Sequence, residues 1–166
     1  MPLTDGRYRG LLYRALNPVY ARMPLSGAGA ERYGGRFNPV GVAALYTALD
    51  PTTALREANQ VGDLQPTVLV AYRADIGPLF DTRDPDALKQ MGVTPRDLAD
   101  PAWRAQMLDQ GAVPTQDLAA ACIAAGFSGL LVRSFARGTD AGNLNLVLWE
   151  WKGLAVVDDD QRLDRM

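Results

Sequence analysis

The segment YGGRFNPVGVAALYTALDPTTALREANQ, residues 33–60, carries three side chains that could share one reaction: Arg36, Tyr46 and Glu57. A guanidinium offers a rigid fork of donors to a phosphate or a ribose oxygen. A phenol joins an apolar ring to a polar tip, and a carboxylate can stabilise a developing cation or orient a hydroxyl. Taken singly, each residue has a plainer account. Arg36 follows two glycines in a loop, where a solvated or carboxylate-paired arginine is common. Tyr46 has apolar neighbours and reads as a tyrosine packed in the core with its hydroxyl at an edge. Glu57 falls in the second turn of a helix, at the border of the face that Ala54, Leu55 and Ala58 would turn inward. Ser134 closes the apolar run GLLVRS and is a fourth polar group at a strand end beside a loop.

Composition narrows the chemistry. The chain has no histidine, which removes Ser-His-Asp and Cys-His pairs and the commonest metal ligand together. Its one cysteine, Cys122 in LAAACIAAG, reads as a small buried thiol on an apolar helix. Catalysis here must use carboxylates, hydroxyls, arginines or a cofactor, and no metal site is expected. A net charge of -2 and a pI near 5.1 lack the footprint of a protein that lives on phosphate backbones, so direct nucleic-acid binding is not expected. GAGAERYGG is no dinucleotide fingerprint, because Arg32 stands where the third glycine belongs and no helix is expected to start there. The only lysines are Lys89 and Lys152, and neither belongs to a phosphate-binding loop pattern. Without an apolar leader or a run of about 18 apolar residues, the chain reads as cytoplasmic and not membrane-bound.

The elements that must position these residues form one domain, residues 1–166 with a core of about 8–151, of α+β class. Strands are expected over 10–16, 42–48, 67–76, 128–134, 143–151 and 153–158. Asp50-Pro51 is a cap with proline at the first helical position, starting a helix to about Gln60. Asp84-Pro85, Thr94-Pro95 and Asp100-Pro101 repeat that chemistry, and a further helix ends at Gly126. Short helices with clustered late strands imply a mixed or largely antiparallel sheet. The connection 17–35, rich in Gly, Pro and Ser, is long enough to be a mobile wall of a cleft.

Taken together, GGRFNPVG, ALYTALDPTTALRE, LLVRS and NLNLVLW resemble the RES-domain family, over about Tyr8 to Trp151. Phe37 and Trp149 stand where relatives often carry Trp and Phe, exchanges that keep an aromatic. The resemblance implies an ADP-ribosyltransferase-like fold and the consumption of NAD+ as substrate. It implies that Arg36, Tyr46 and Glu57 handle NAD+, that Ser134 is the family's serine, and that Arg14, Asn38 and Asn145 also bind the dinucleotide. It further implies a toxin of a bacterial toxin–antitoxin pair, held by an Xre-type helix-turn-helix antitoxin. The ADP-ribosyl acceptor would be water, phosphate or a protein of nucleotide metabolism such as phosphoribosyl pyrophosphate synthetase.

Residue chemistry is compatible with that reaction. Nicotinamide leaves as a neutral group from a cationic ring, so neither metal nor histidine is required. A carboxylate about 4 Å from the ribosyl cation, at an effective dielectric near 20, supplies on the order of 4 kcal/mol, roughly a thousandfold in rate. Two other readings stay open at this point: a histidine-free ribonuclease with Arg, Tyr and Glu as clamp, acid and base, and a non-catalytic binding domain in which Arg36 and Glu57 form a salt bridge.

Overall fold

The computed structural model describes residues 2–60 and 63–166. Strands β1 (Tyr8–Leu16) and β3 (Val68–Ile76) form its longest ladder, antiparallel in continuous register from Tyr8 opposite Ile76 to Leu16 opposite Val68. Period-two patterning fixes that register. Val70, Tyr72, Ala74 and Ile76 face inward while Leu69, Arg73 and Asp75 face out, so a slip by one residue would bury charge. With β2 (Leu45–Ala48), β4 (Leu79–Asp81), β5 (Gly129–Arg133), β6 (Leu144–Leu148) and β7 (Leu154–Val156), they make a seven-stranded sheet of order β4-β5-β6-β2-β1-β3-β7. Only β4 and β5 run parallel; every other pair is antiparallel.

The central strands are apolar on both faces, and alternate residues serve two cores. Leu131, Leu146 and Leu148 pack with Leu12 and Tyr72 of the long ladder. Leu130, Val132 and Val147 pack against helices α3 (Pro85–Gln90), α4 (Pro95–Ala99) and α6 (Pro114–Ala124) through Leu88, Leu98, Leu118 and Cys122. Full burial of one such leucine is worth about 1.5–3 kcal/mol. Cys122 is a core residue, its thiol pushed up to about 11 by burial.

Helix α2 (Pro51–Ala58) carries Glu57 and starts as the Asp-Pro pair requires. The Asp50 carboxylate accepts from the Thr53 backbone N–H at 2.8 Å and from its hydroxyl at 2.6 Å. Thr94 and Asp97 close a reciprocal capping box on α4. Asp100 behaves differently from the expected cap. Its side chain accepts from Ala102 N–H in a turn, and α5 (Trp103–Leu108) begins beyond it.

Three further differences separate the sequence reading from the fold. A helix, α1 (Ala28–Tyr33), does form in GAGAERYGG and closes on Gly34, whose positive φ of 73° suits glycine. β2 begins at Leu45 instead of residue 42, since Val42 is drawn into the loop by Asn38. The three-residue strand β4 has too little length to register as a pattern. No helix among the described residues is long and apolar enough to cross a membrane.

Candidate active site

Beside β2, β6 and α2 lies a cleft of about 580 Å³, within the roughly 300–1,000 Å³ of small-molecule sites. Arg14, Arg36, Tyr46, Glu57 and Asn145 all line it. Residues 36, 46 and 57 are thus brought together by a loop, a strand and the helix that follows the strand.

Glu57 is half-buried and held at both oxygens. Its Oε1 accepts from the Ser134 hydroxyl and from Asn145 Nδ2 at 2.8 Å, and its Oε2 accepts from Gln60 Nε2 at 2.9 Å. These donors come from three elements, so the carboxylate is fixed in orientation before any ligand arrives. Ser134 itself is fully buried behind Glu57, where its Oγ also accepts from Ala136 N–H at 3.2 Å. It meets the site through its hydrogen bond to Glu57. Asn145 Oδ1 is buried with no hydrogen-bond partner, a sign that this side chain is oriented by what its amide gives to Glu57.

Arg36 reaches across the cleft to the far wall. Its Nη1 donates to the carbonyls of Leu98 at 3.0 Å and Asp100 at 2.8 Å, leaving Nε and Nη2 without a partner among the described residues. The guanidinium lies between the rings of Phe135 and Trp103, 5.3 and 5.9 Å from their centroids. Burial lowers its pKa and the charges of Glu57 and Asp100 oppose that; a guanidinium nonetheless stays charged in water. Among the described residues Arg36 and Glu57 form no ion pair, although they face one space.

The Arg36 loop is built from the inside. Tyr46 Oη donates to Asn38 Oδ1 at 2.5 Å and accepts from Phe37 N–H at 3.1 Å. Asn38 Nδ2 donates to the carbonyls of Ala30 at 2.8 Å and Val42 at 2.9 Å. Gln116 on α6 holds the Gly35 carbonyl, and Trp149 Nε1 holds that of Phe37, each at 2.9 Å. Gly35 must lack a side chain, because a methyl there would overlap the Tyr46 hydroxyl and stand 2.6 Å from Asn38 Oδ1. Burial drives the Tyr46 phenol far above its ordinary range, with the Phe37 N–H and Arg36 pulling the other way, so it is a neutral hydroxyl.

Two expectations change accordingly. Asn38 does not reach the cleft; it is fully buried, and its amide is committed to the loop backbone. The connection 17–35 is not the wall of the cleft, since of its residues only Gly34 and Gly35 line it. Arg14 ties that connection down by donating to the Pro24 carbonyl at 2.9 Å. The facing wall is instead α5, through Trp103 and Arg104, with Arg133 and Phe135 beside it. Arg133 adjoins Ser134 and could have been suspected from LLVRS; nothing local in the sequence ties Trp103 to Arg36, which it meets across more than sixty positions.

No cluster of His, Cys, Asp and Glu suited to a metal occurs among the described residues. An α+β scaffold of short helices on a mixed sheet, with one carboxylate opposite one anchored arginine, is the class of molecule these features define. The RES domain family matches residues 11–165, and the chain belongs to that family. Its fold is similar to that of a chain in the crystal structure of the M. tuberculosis MbcT–MbcA toxin–antitoxin complex. The two are 22% identical with a TM-score of 0.65, and the match covers 92% of this chain and 83% of that one. Among curated proteins, none matches the sequence.

Proposed function

We propose that this protein is the toxin of a toxin–antitoxin pair and that it cleaves NAD+ at the nicotinamide–ribose bond, passing ADP-ribose to an acceptor. The observation that carries the reading is the Glu57 carboxylate, fixed by Ser134, Asn145 and Gln60 across a cleft from the open donors of Arg36. Glu57 faces the ribosyl cation as the bond to nicotinamide breaks, and the bonding electron pair leaves with the neutral nicotinamide. Because its donors already hold it, little reorganisation accompanies the charge that develops. Arg36 directs Nε and Nη2 at phosphate or ribose oxygens, and the Tyr46 ring forms the floor between them. Asn145 orients Glu57, and Arg14 supplies a second cation at the β1 side.

Two features weigh against the other readings. A salt bridge between Arg36 and Glu57 would argue for a passive domain, but the two are held apart by separate partners. A ribonuclease would need Tyr46 as a proton donor, whereas its hydroxyl is buried and committed to Asn38. Membership of the RES family and the likeness to a chain of a toxin–antitoxin complex support the toxin role and an antitoxin partner; the partner type proposed is the Xre helix-turn-helix antitoxin that the sequence resemblance implies.

The test is chromatographic detection of free nicotinamide after incubation with NAD+. Release is expected, and parallel reactions with phosphate, without it, and with a cell lysate identify the acceptor as phosphate, water or a protein. No nicotinamide under all three conditions would refute the reading.

A further inference from the structure

Three arginines of the cleft wall are interleaved with two aromatic rings. Arg104 lies 4.9 Å from the centroid of Trp103, Arg36 lies 5.9 Å from the same ring and 5.3 Å from Phe135, and Arg133 lies 5.6 Å from Phe135. The result is a row of cation, ring, cation, ring, cation contributed by α5, the Arg36 loop and the end of β5.

Of the twelve other arginines, four pair with carboxylates among the described residues: Arg7 and Arg9 with Asp75, Arg83 with Asp81 and Arg162 with Asp160. Arg104 and Arg133 have neither an ion pair nor a hydrogen bond with any described residue, and both are exposed at the cleft. Glu57 is the single acidic residue among those lining it, against four arginines. Three like charges held in a row repel one another, with Glu57 and Asp100 offsetting part of that at Arg36, and an arriving anion relieves the rest. A guanidinium parked against a ring keeps its in-plane N–H edge free, the geometry that takes phosphate oxygens in pairs. Three guanidiniums carry more N–H donors than one phosphate group can accept, which points to a chain of two.

We propose that Arg104 and Arg133 act with Arg36 as the diphosphate-binding residues of the cleft, with Trp103 and Phe135 as the spacers that align them. The assignment of the diphosphate to a dinucleotide substrate rests on the NAD+ reading above. α5 buries none of its own residues, so Arg104 is carried on a lightly packed element of the cleft wall.

The direct test is calorimetric binding of inorganic pyrophosphate to the wild-type protein and to Arg104→Ala, Arg133→Ala and the double variant. Arg96→Ala, the same charge change on α4 outside the cleft, is the control. Each single variant is expected to weaken binding about tenfold, the order expected for one charge-assisted contact, and the double variant further, with KM for NAD+ rising in parallel and kcat within about twofold. Arg104→Lys should recover only part of the loss, since an ammonium keeps charge but not the stacked fork. Thermal midpoints unchanged within a few degrees ensure that folding is not the cause. Wild-type protein that fails to bind pyrophosphate, or variants that bind it as well as wild type, overturn the proposal. Pyrophosphate binding that depends on both arginines, without nicotinamide release, would sustain the ladder and defeat the NAD+ reading; release with unaltered KM in the variants would do the opposite.

Discussion

Replacing Tyr46 with Phe removes one oxygen and strips two buried groups of their partners. Asn38 Oδ1 loses the hydroxyl that donates to it at 2.5 Å, and Phe37 N–H loses the acceptor at 3.1 Å. Asn38 is fully buried and Phe37 nearly so, which keeps water from replacing either bond. An orphaned buried polar group costs about 1–3 kcal/mol, so the pair amounts to roughly 2–6 kcal/mol. That is a large share of the 5–15 kcal/mol typical of a domain, and at about 2–4 °C per kcal/mol for a chain of this size the thermal midpoint should fall by about 10 °C. The damage is local to the Arg36 loop, because both bonds close it. A misplacement of about 1 Å in a positioning group can cost on the order of a hundredfold, and kcat/KM for nicotinamide release should fall by about that factor. Thermal unfolding by circular dichroism and a nicotinamide assay read the two effects. A Tyr46→Phe protein with a midpoint within 1 °C of wild type and unchanged kcat/KM would refute the latch.

Other outcomes follow from the same contacts. Ser134→Ala removes a donor from Glu57 Oε1 and leaves the buried Ala136 N–H without its acceptor, so the midpoint should fall by a few degrees while the fold is kept; kcat should drop about tenfold or more with KM little changed, as Ser134 lies buried behind Glu57. Gly35→Ala should lower both stability and kcat/KM, because the added methyl displaces Tyr46 and Asn38; wild-type behaviour in both would contradict the packing described. Alkaline titration has a fixed sign. Burial raises the Tyr46 phenol above the unfolded value of 10.0, so the unfolded chain loses that proton first. The stability involved is fully present below pH of about 10 and is lost as pH rises further, at up to about 1.4 kcal/mol per pH unit. Denaturant unfolding at a series of pH values measures it, and Tyr46→Phe should flatten the slope.

How far the sequence discloses this molecule depends on how local each signal is. Asp50-Pro51 announces α2, and through it the register that turns Glu57 toward the cleft, because capping is decided within four residues. The alternation in β3 is equally plain, and late clustered strands point to the mixed sheet that forms. α1 escapes because its glycines hide a helix of only six residues, stabilised through contacts such as Asn38 to the Ala30 carbonyl. The roles of Asn38 and Ser134 are hidden for a different reason. Both have polar side chains beside site residues, and only burial reveals that they act behind the surface. The α5 wall is the least legible part, since Trp103 enters the site through its contact with Arg36, which no sequence spacing encodes, and Arg104 enters beside it against the Trp103 ring.

The proposed reaction depends on a fixed Glu57 carboxylate that faces the bond to be broken. Glu57→Gln tests it with little disturbance, because the amide oxygen can still accept from Ser134 and Asn145 and only the bond from the exposed Gln60 is lost with the charge. With purified proteins of matching thermal midpoint, wild type should release nicotinamide from NAD+ and Glu57→Gln should be slower by about a thousandfold, the worth of one carboxylate at this range. Nicotinamide release by Glu57→Gln at the wild-type rate would contradict the account.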